Sequence, residues 1–183
     1  MLVSMSRMNN YTIILPVFND WDSLAILLRK IEYTVKNTKN SYKLIIVNDS
    51  SSIKNTHTLN TNNFFQSITV LNLKKNIGSQ KAIATAIKYV EKNHEKFGNK
   101  YIIMDSDGED DPNKILEILD LLKKKNDTKV ITLNRTIRKE SILFSIFYEL
   151  HLFITFLITL NYIRFGNFSF LNLEAVKIIS SKK

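Results

Sequence analysis

Asp105 and Asp107 stand one residue apart, directly after the apolar run Tyr101 to Met104. Two carboxylates so placed at the end of a buried strand converge on one hard cation where the chain turns. Oxygen ligands suit magnesium or manganese, ions that keep waters and take the rest of their shell from substrate phosphates. Such an ion neutralises charge building on a departing diphosphate. Glu109, Asp110 and Asp111 enlarge the acidic cluster. An acidic turn leading into a helix, whose dipole favours carboxylates at its start, accounts for the same short pattern.

Three further places carry chemistry, each with two readings. Asp49 closes the apolar run Tyr42 to Val47; its carboxylate accepts hydrogen bonds from a base or ribose, or forms an Asx-turn after a strand. Asn76-Ile77-Gly78 is placed to bring backbone N–H groups near a phosphate, although one glycine is no phosphate-loop fingerprint. Arg135 and Arg138 suit phosphate oxygens bidentately, and arginine pairs are also common on surfaces. His57, His94 and His151 show no metal-ligand spacing.

The elements that must position these residues are legible from periodicity. Tyr11 to Pro16, Tyr42 to Val47, Ile68 to Leu73, Tyr101 to Met104 and Val130 to Leu133 are short apolar runs that read as strands. Between them, Trp21 to Lys36 carries Leu24, Leu27, Leu28, Ile31 and Val35 on one helical face, with Asn19, Asp20 or Asp22 as cap. Ser79 to Glu91 repeats the pattern, as does a helix that Pro112 opens, with Ile115, Ile118, Leu119 and Leu122 inward. Strands alternating with helices predict an α/β fold, an open and mostly parallel sheet with helices on both faces. In such sheets ligands bind beyond the carboxyl ends of the strands, which puts Asn19, Asp49, Asp105 and Asp107 near one another.

The 183 residues suit one domain, 1–183, with residues 1–10 as a disordered N-terminus. The chain has no cysteine, which excludes disulfides and cysteine-based zinc sites, and no secretory signal is read at its start. A net charge of +9 favours anionic partners: nucleic acid, an anionic membrane surface or phosphorylated small molecules. No basic helix or stacking motif supports nucleic acid, and the acidic loop Asp105 to Asp111 sits where the sheet would present a ligand. Residues 141–165 are long and apolar, yet Glu149 and His151 lie mid-segment, where an ionised carboxylate in lipid is costly. It reads as surface-lying or core-packed helix rather than a span, and Phe144, Phe147, Tyr148, Phe153 and Phe156 beside Arg135, Arg138, Lys139 and Arg164 favour an amphipathic interfacial helix over ordinary core.

The ordered motifs resemble those of the family 2 glycosyltransferases, in particular the polyprenyl-phosphate (dolichyl-phosphate mannose synthase-like) branch. The matching pieces are ILPVFND at Ile14–Asp20, IIVNDSSS at Ile45–Ser52, LNLKKNIGSQKAIATAI at Leu71–Ile87 and MDSDGEDDPNKI at Met104–Ile115. LNRTIR at Leu133–Arg138, FSIFYEL at Phe144–Leu150 and GNFSFLN at Gly166–Asn172 complete the series. The resemblance implies a GT-A type nucleotide-sugar fold and inversion at the anomeric carbon. It implies that Pro16, Val17, Asn19, Asp49, Gly78, Lys81, Asp105 and Ser106 meet the nucleotide sugar. Asp105, Asp107 and Glu109 would then hold Mg2+ or Mn2+, and Asp105, Asp107 and Arg135 would carry the transfer. Arg138, Ser145, Tyr148, Asn167 and Ser169 fall on the acceptor side. Asn48 stands where the family usually has the first acid of an Asp-Asp pair, and Gly108, Glu109 and Asp111 replace its usual Leu, Gln and Pro.

The expected function is a metal-dependent transferase at the inner face of the cell membrane, cytoplasmic and peripheral. It moves a sugar from a nucleotide-diphosphate donor to polyprenyl phosphate, alone, as a homo-oligomer or with a membrane-protein partner. A transferase with a soluble or glycan acceptor, and a truncated non-catalytic binding subunit, are the alternatives. Nucleic acid is not an expected partner.

Overall fold

The computed structural model describes residues 9–59, 63–125, 127–134 and 165–181. Strand β1 (Asn10–Val17) is buried on both faces after its first residue, as a central parallel strand must be. It pairs in parallel with β2 (Ser41–Asn48) on one side and β4 (Lys100–Ile103) on the other, and β2 pairs in parallel with β3 (Ser67–Asn72). The described residues form a six-stranded sheet in the order β3-β2-β1-β4-β6-β5, where β5 is Val130–Asn134 and β6 is Phe165–Asn172.

Helices cover both faces. Helix α1 (Trp21–Val35) starts at Asp20, whose carboxylate accepts the N–H of Ser23 at 3.2 Å. With α4 (Lys114–Lys124) it buries the face formed by Ile13, Leu15, Leu44, Ile46, Ile102, Phe168 and Phe170. Helices α2 (Ser79–Lys92), α3 (His94–Phe97) and α5 (Leu173–Ser181) cover Ile14, Ile45, Val47, Tyr101, Ile103 and Leu171. Alternate strand residues therefore serve opposite cores, and this parity decides which strand-end side chains can meet.

The five expected strands and three expected helices are present, with boundaries within two residues of the sequence reading. Three elements are new: the short helix α3, strand β6 and helix α5. GNFSFLN was read only as acceptor-side residues, yet it forms β6, antiparallel to both β4 and β5 and inserted between them. Asn172 then caps α5, its side chain accepting the N–H of Ala175 at 2.8 Å. The predicted interfacial helix over residues 141–165 lies outside the described residues, except for Phe165 at the start of β6. Among the described residues no helix is long and apolar enough to cross a membrane.

Burial has a consequence for pH. The Tyr11 phenol is pushed up from 10.0 to about 12 by desolvation and then by the neighbouring Tyr42, and that of Tyr101 to about 12 by desolvation alone. Below pH 10 both folded and unfolded chains keep these protons, and stability is whole. Between about 10 and 12 the unfolded chain loses protons the folded chain retains, so stability falls as pH rises. Denaturant midpoints taken across that window should fall, and less steeply in Tyr11→Phe. Phe170, 1% exposed in the α1–α4 core, should cost about 3–5 kcal/mol on truncation to Ala; urea unfolding measures this, and a loss under 1 kcal/mol would mean that β6 is not held as described.

Candidate active site

Parallel pairing brings the carboxyl ends of β1, β2 and β4 to one rim. A cavity of about 420 Å³ opens there, lined by Pro16 and Val17 from β1, Asp49 after β2, Ser79 of α2, and Asp105, Ser106 and Asp107 after β4. Its size is that of a small-ligand site. Asn167 of β6 completes the wall. The sequence reading and the geometry thus agree that these strand-end residues share one space.

Asp105 is held from three sides. Its N–H donates to Asp110 Oδ2 at 2.9 Å, and its Oδ1 accepts from Asn167 Nδ2 at 2.7 Å. The next residue, Ser106, donates its hydroxyl to the Pro16 carbonyl at 2.5 Å, tying the β4 end to β1. The Asn167 contact follows from register. Lys100 pairs with Asn172 and Ile103 with Ser169, so continuing the antiparallel register brings residue 105 opposite residue 167. Both lie on the α2 side of the sheet, where Gln80 donates its side-chain amide to Asn167 Oδ1.

Beyond Asp105 the chain reverses. Gly108 adopts φ +83°, a conformation that L side chains rarely take. Asp107 is exposed and closes the turn by accepting the N–H of Glu109 at 3.0 Å. Asp110, only 4% exposed, spends its carboxylate on the backbone of Asp105. The acidic cluster is thus divided: Asp110 builds the loop, while Asp105 and Asp107 face the cavity. Glu109 lies away from that cavity and, with Asp107, borders a second one of about 890 Å³ between α1 and the 107–113 loop.

Asp49 is 2% exposed, and its two oxygens accept the N–H groups of Ile77 at 2.9 Å and Gly78 at 2.8 Å. A carboxylate at the start of α2 is favoured by the helix dipole. The N–H groups of Ile77 and Gly78, expected near a phosphate, are donated here to Asp49, and that of Gly78 also to the Asn76 side chain at 3.1 Å. Lys81 is exposed on α2 and does not line the cavity. Asn19 is likewise not in the lining. With φ 56°, it accepts from Ile53 N–H at 3.0 Å and from the Ser52 hydroxyl at 3.2 Å, clamping the loop after β2 onto the end of β1. Ser169 bonds back to the Asn167 carbonyl at 3.1 Å, inside the sheet. Arg135, Arg138, Ser145 and Tyr148 lie outside the described residues.

Among the described residues no group of three or more His, Asp or Glu side chains is assembled to hold a metal ion. The expected trio of Asp105, Asp107 and Glu109 is therefore not a ready-made cage. Two carboxylates facing one cavity still fit magnesium or manganese, which bind through one or two carboxylates plus substrate phosphates. The sequence reading missed the parts that hold the site: Asp110 as the backbone brace, and Gln80 with Asn167 as side-chain supports. Asp110 carried a signal, an acid closing a short loop that opens at Asp105. The Gln80–Asn167 contact spans 87 positions and left none.

Residues 12–171 match the profile of Glycosyl transferase family 2. Over 136 residues, 74% of this chain and 40% of the relative, the sequence is 29% identical to the uncharacterized glycosyltransferase YkcC of Bacillus subtilis. Over 112 residues, 60% of this chain and 33% of the relative, it is 31% identical to the uncharacterized glycosyltransferase sll0501 of Synechocystis sp.. The chain thus spans well under half the length of either relative. The fold is shared with the mannosyltransferase PcManGT from Pyrobaculum calidifontis, solved with GDP-Man and Mn2+ (TM-score 0.52, 16% identity, 71% of this chain and 37% of that one). It is shared also with glucosyl-3-phosphoglycerate synthase from Mycobacterium tuberculosis, solved with UDP (TM-score 0.55, 12% identity, 90% and 57%). These neighbours share the GT-A architecture, and with a family match over most of its length this chain belongs to glycosyl transferase family 2.

Proposed function

We propose that this chain binds a nucleotide-diphosphate sugar in the cavity at the β1, β2 and β4 ends and supports inverting transfer of the sugar to polyprenyl phosphate. The observation that carries the donor half is the convergence of Asp105 and Asp107 on the cavity that Pro16, Val17 and Asp49 also line. In this reading the β1 end and the Asp49 region receive the nucleoside. Asp105 and Asp107 would hold magnesium or manganese, which when bound would supply positive charge to the leaving diphosphate. Asp105 is braced through its backbone and one oxygen, which limits the reorganisation needed when the diphosphate arrives.

The acceptor half rests on the sequence motifs at Leu133–Arg138 and Phe144–Leu150. In this reading Arg135 and Arg138 meet acceptor or donor phosphate, and residues 141–165 lie along the cytoplasmic face of the membrane. A phosphate acceptor is already ionised at neutral pH, so transfer to it needs no strong general base. Among the described residues the cavity lining contains no histidine, which accords with this reading.

Thermal unfolding with manganese and UDP or GDP, each at about a hundred times its dissociation constant, should raise Tm by about 5–10 °C. Asp107→Ala should lose the manganese-dependent part of that rise and keep its fold, since Asp107 is exposed. No stabilisation by either nucleotide would overturn the donor reading. Co-sedimentation with anionic vesicles should persist at 0.5 M salt, roughly, where screening removes purely electrostatic attraction. Complete release at that salt would favour a soluble or glycan acceptor.

A further inference from the structure

We propose that Gln80 and Asn167 are positioning residues for Asp105, forming an amide relay that fixes the orientation of its carboxylate at the donor cavity. The inference rests on the donor-site reading above and adds two residues to it. Asn167 Nδ2 donates to Asp105 Oδ1 at 2.7 Å, and Asn167 Oδ1 accepts from Gln80 Nε2. An asparagine amide has a donor end and an acceptor end, and turning it over exchanges them. Turned over, Asn167 would set its oxygen against Asp105 Oδ1 and its NH2 against the NH2 of Gln80. The carboxylate can only accept, so it selects the donating orientation of Asn167, and Gln80 reinforces that orientation by donating to the oxygen at its other end.

The relay fixes Asp105 in a specific way. Oδ1 is held by Asn167 and the backbone N–H by Asp110, on a residue that lines the cavity together with Asp107. Groups that orient a metal-binding carboxylate through hydrogen bonds tune its affinity for the ion. The three residues come from β4, β6 and α2, so the relay reports that β6 and α2 are both seated. Gln80 is exposed and Asn167 half-buried, so water competes more at the first contact than at the second.

Binding of UDP and of GDP, each titrated with and without manganese, tests the assignment. Asn167→Ala should weaken the manganese-dependent binding about tenfold, the scale of losses at groups supporting a metal ligand. Gln80→Leu should weaken it by a smaller factor. Gln80→Leu, outside the cavity lining, should leave the weaker manganese-free binding unaltered, and Asn167→Ala, in the cavity wall, should lower it by a smaller factor than the manganese-dependent binding, whereas a general disturbance of the cavity would reduce both alike. Because Gln80 acts through Asn167, the double variant should bind no worse than Asn167→Ala alone, whereas independent effects would multiply. Equal losses with and without manganese, multiplying losses, or no loss in folded Gln80→Leu would overturn the relay while leaving the donor site intact. Absence of nucleotide binding by the unaltered protein would overturn both.

Discussion

The register between β4 and β6 is the constraint on which the site depends. Antiparallel pairing from Lys100–Asn172 to Ile103–Ser169 leaves no freedom in what stands opposite Asp105. A one-residue slip would turn Asn167 to the other face of the sheet, because side chains alternate with a period of two. It would also carry Phe168 and Phe170 out of the α1–α4 core, where they are 2% and 1% exposed. The hydrophobic core and the position of the Asp105 support are therefore set by one register. Burial of two phenylalanines fixes it far more strongly than the single hydrogen bond to Asp105 could.

The amino terminus of α2 is the second anchor. Asp49, Asp105 and Asn167 come from three different strands, yet each sits at a strand end with the parity that faces α2. Asp49 takes the first N–H groups of that helix region, and Asn167 takes the Gln80 amide. Residues Ala82, Ile83, Ala86, Ile87 and Val90 pack the same helix against Ile45, Val47 and Ile103. A helix seated by its apolar stripe thus delivers polar groups to the rim, and its dipole favours the buried charge of Asp49. The polar rim is a by-product of core packing rather than an independently stabilised loop.

The acidic run Asp105 to Asp111 shows how one composition divides into different tasks. Asp107 is solvated and available, and Asp105 is nearly buried with one oxygen committed. Asp110 is buried and serves the backbone, while Asp111 accepts the Asn113 N–H at 2.9 Å as α4 begins. The helix-start account holds for Asp111, and the proposed ligand-site account concerns Asp105 and Asp107, which line the cavity. Local geometry assigns the roles: the turn at Gly108 and the paired strand end separate carboxylates that are neighbours in the chain.

The sequence by itself determined the parallel core, the helix faces and the strand-end position of Asp49, Asp105 and Asp107. These follow from short-range periodicity, which every window of the chain carries on its own. It also carried the family resemblance, since ordered motifs survive without coordinates. Only the tertiary structure decided that Gly166 to Asn172 is a strand inserted between β4 and β5, because strand order depends on which apolar faces fit and not on local pattern. Only it decided that the Gly78 N–H belongs to Asp49, that Asn19 clamps a loop, and that Asn167 stands against Asp105 rather than alone on an acceptor wall. Each of these is a contact between residues 29 to 62 positions apart, and pairing at that range is settled by register and packing, which no local stretch of sequence encodes.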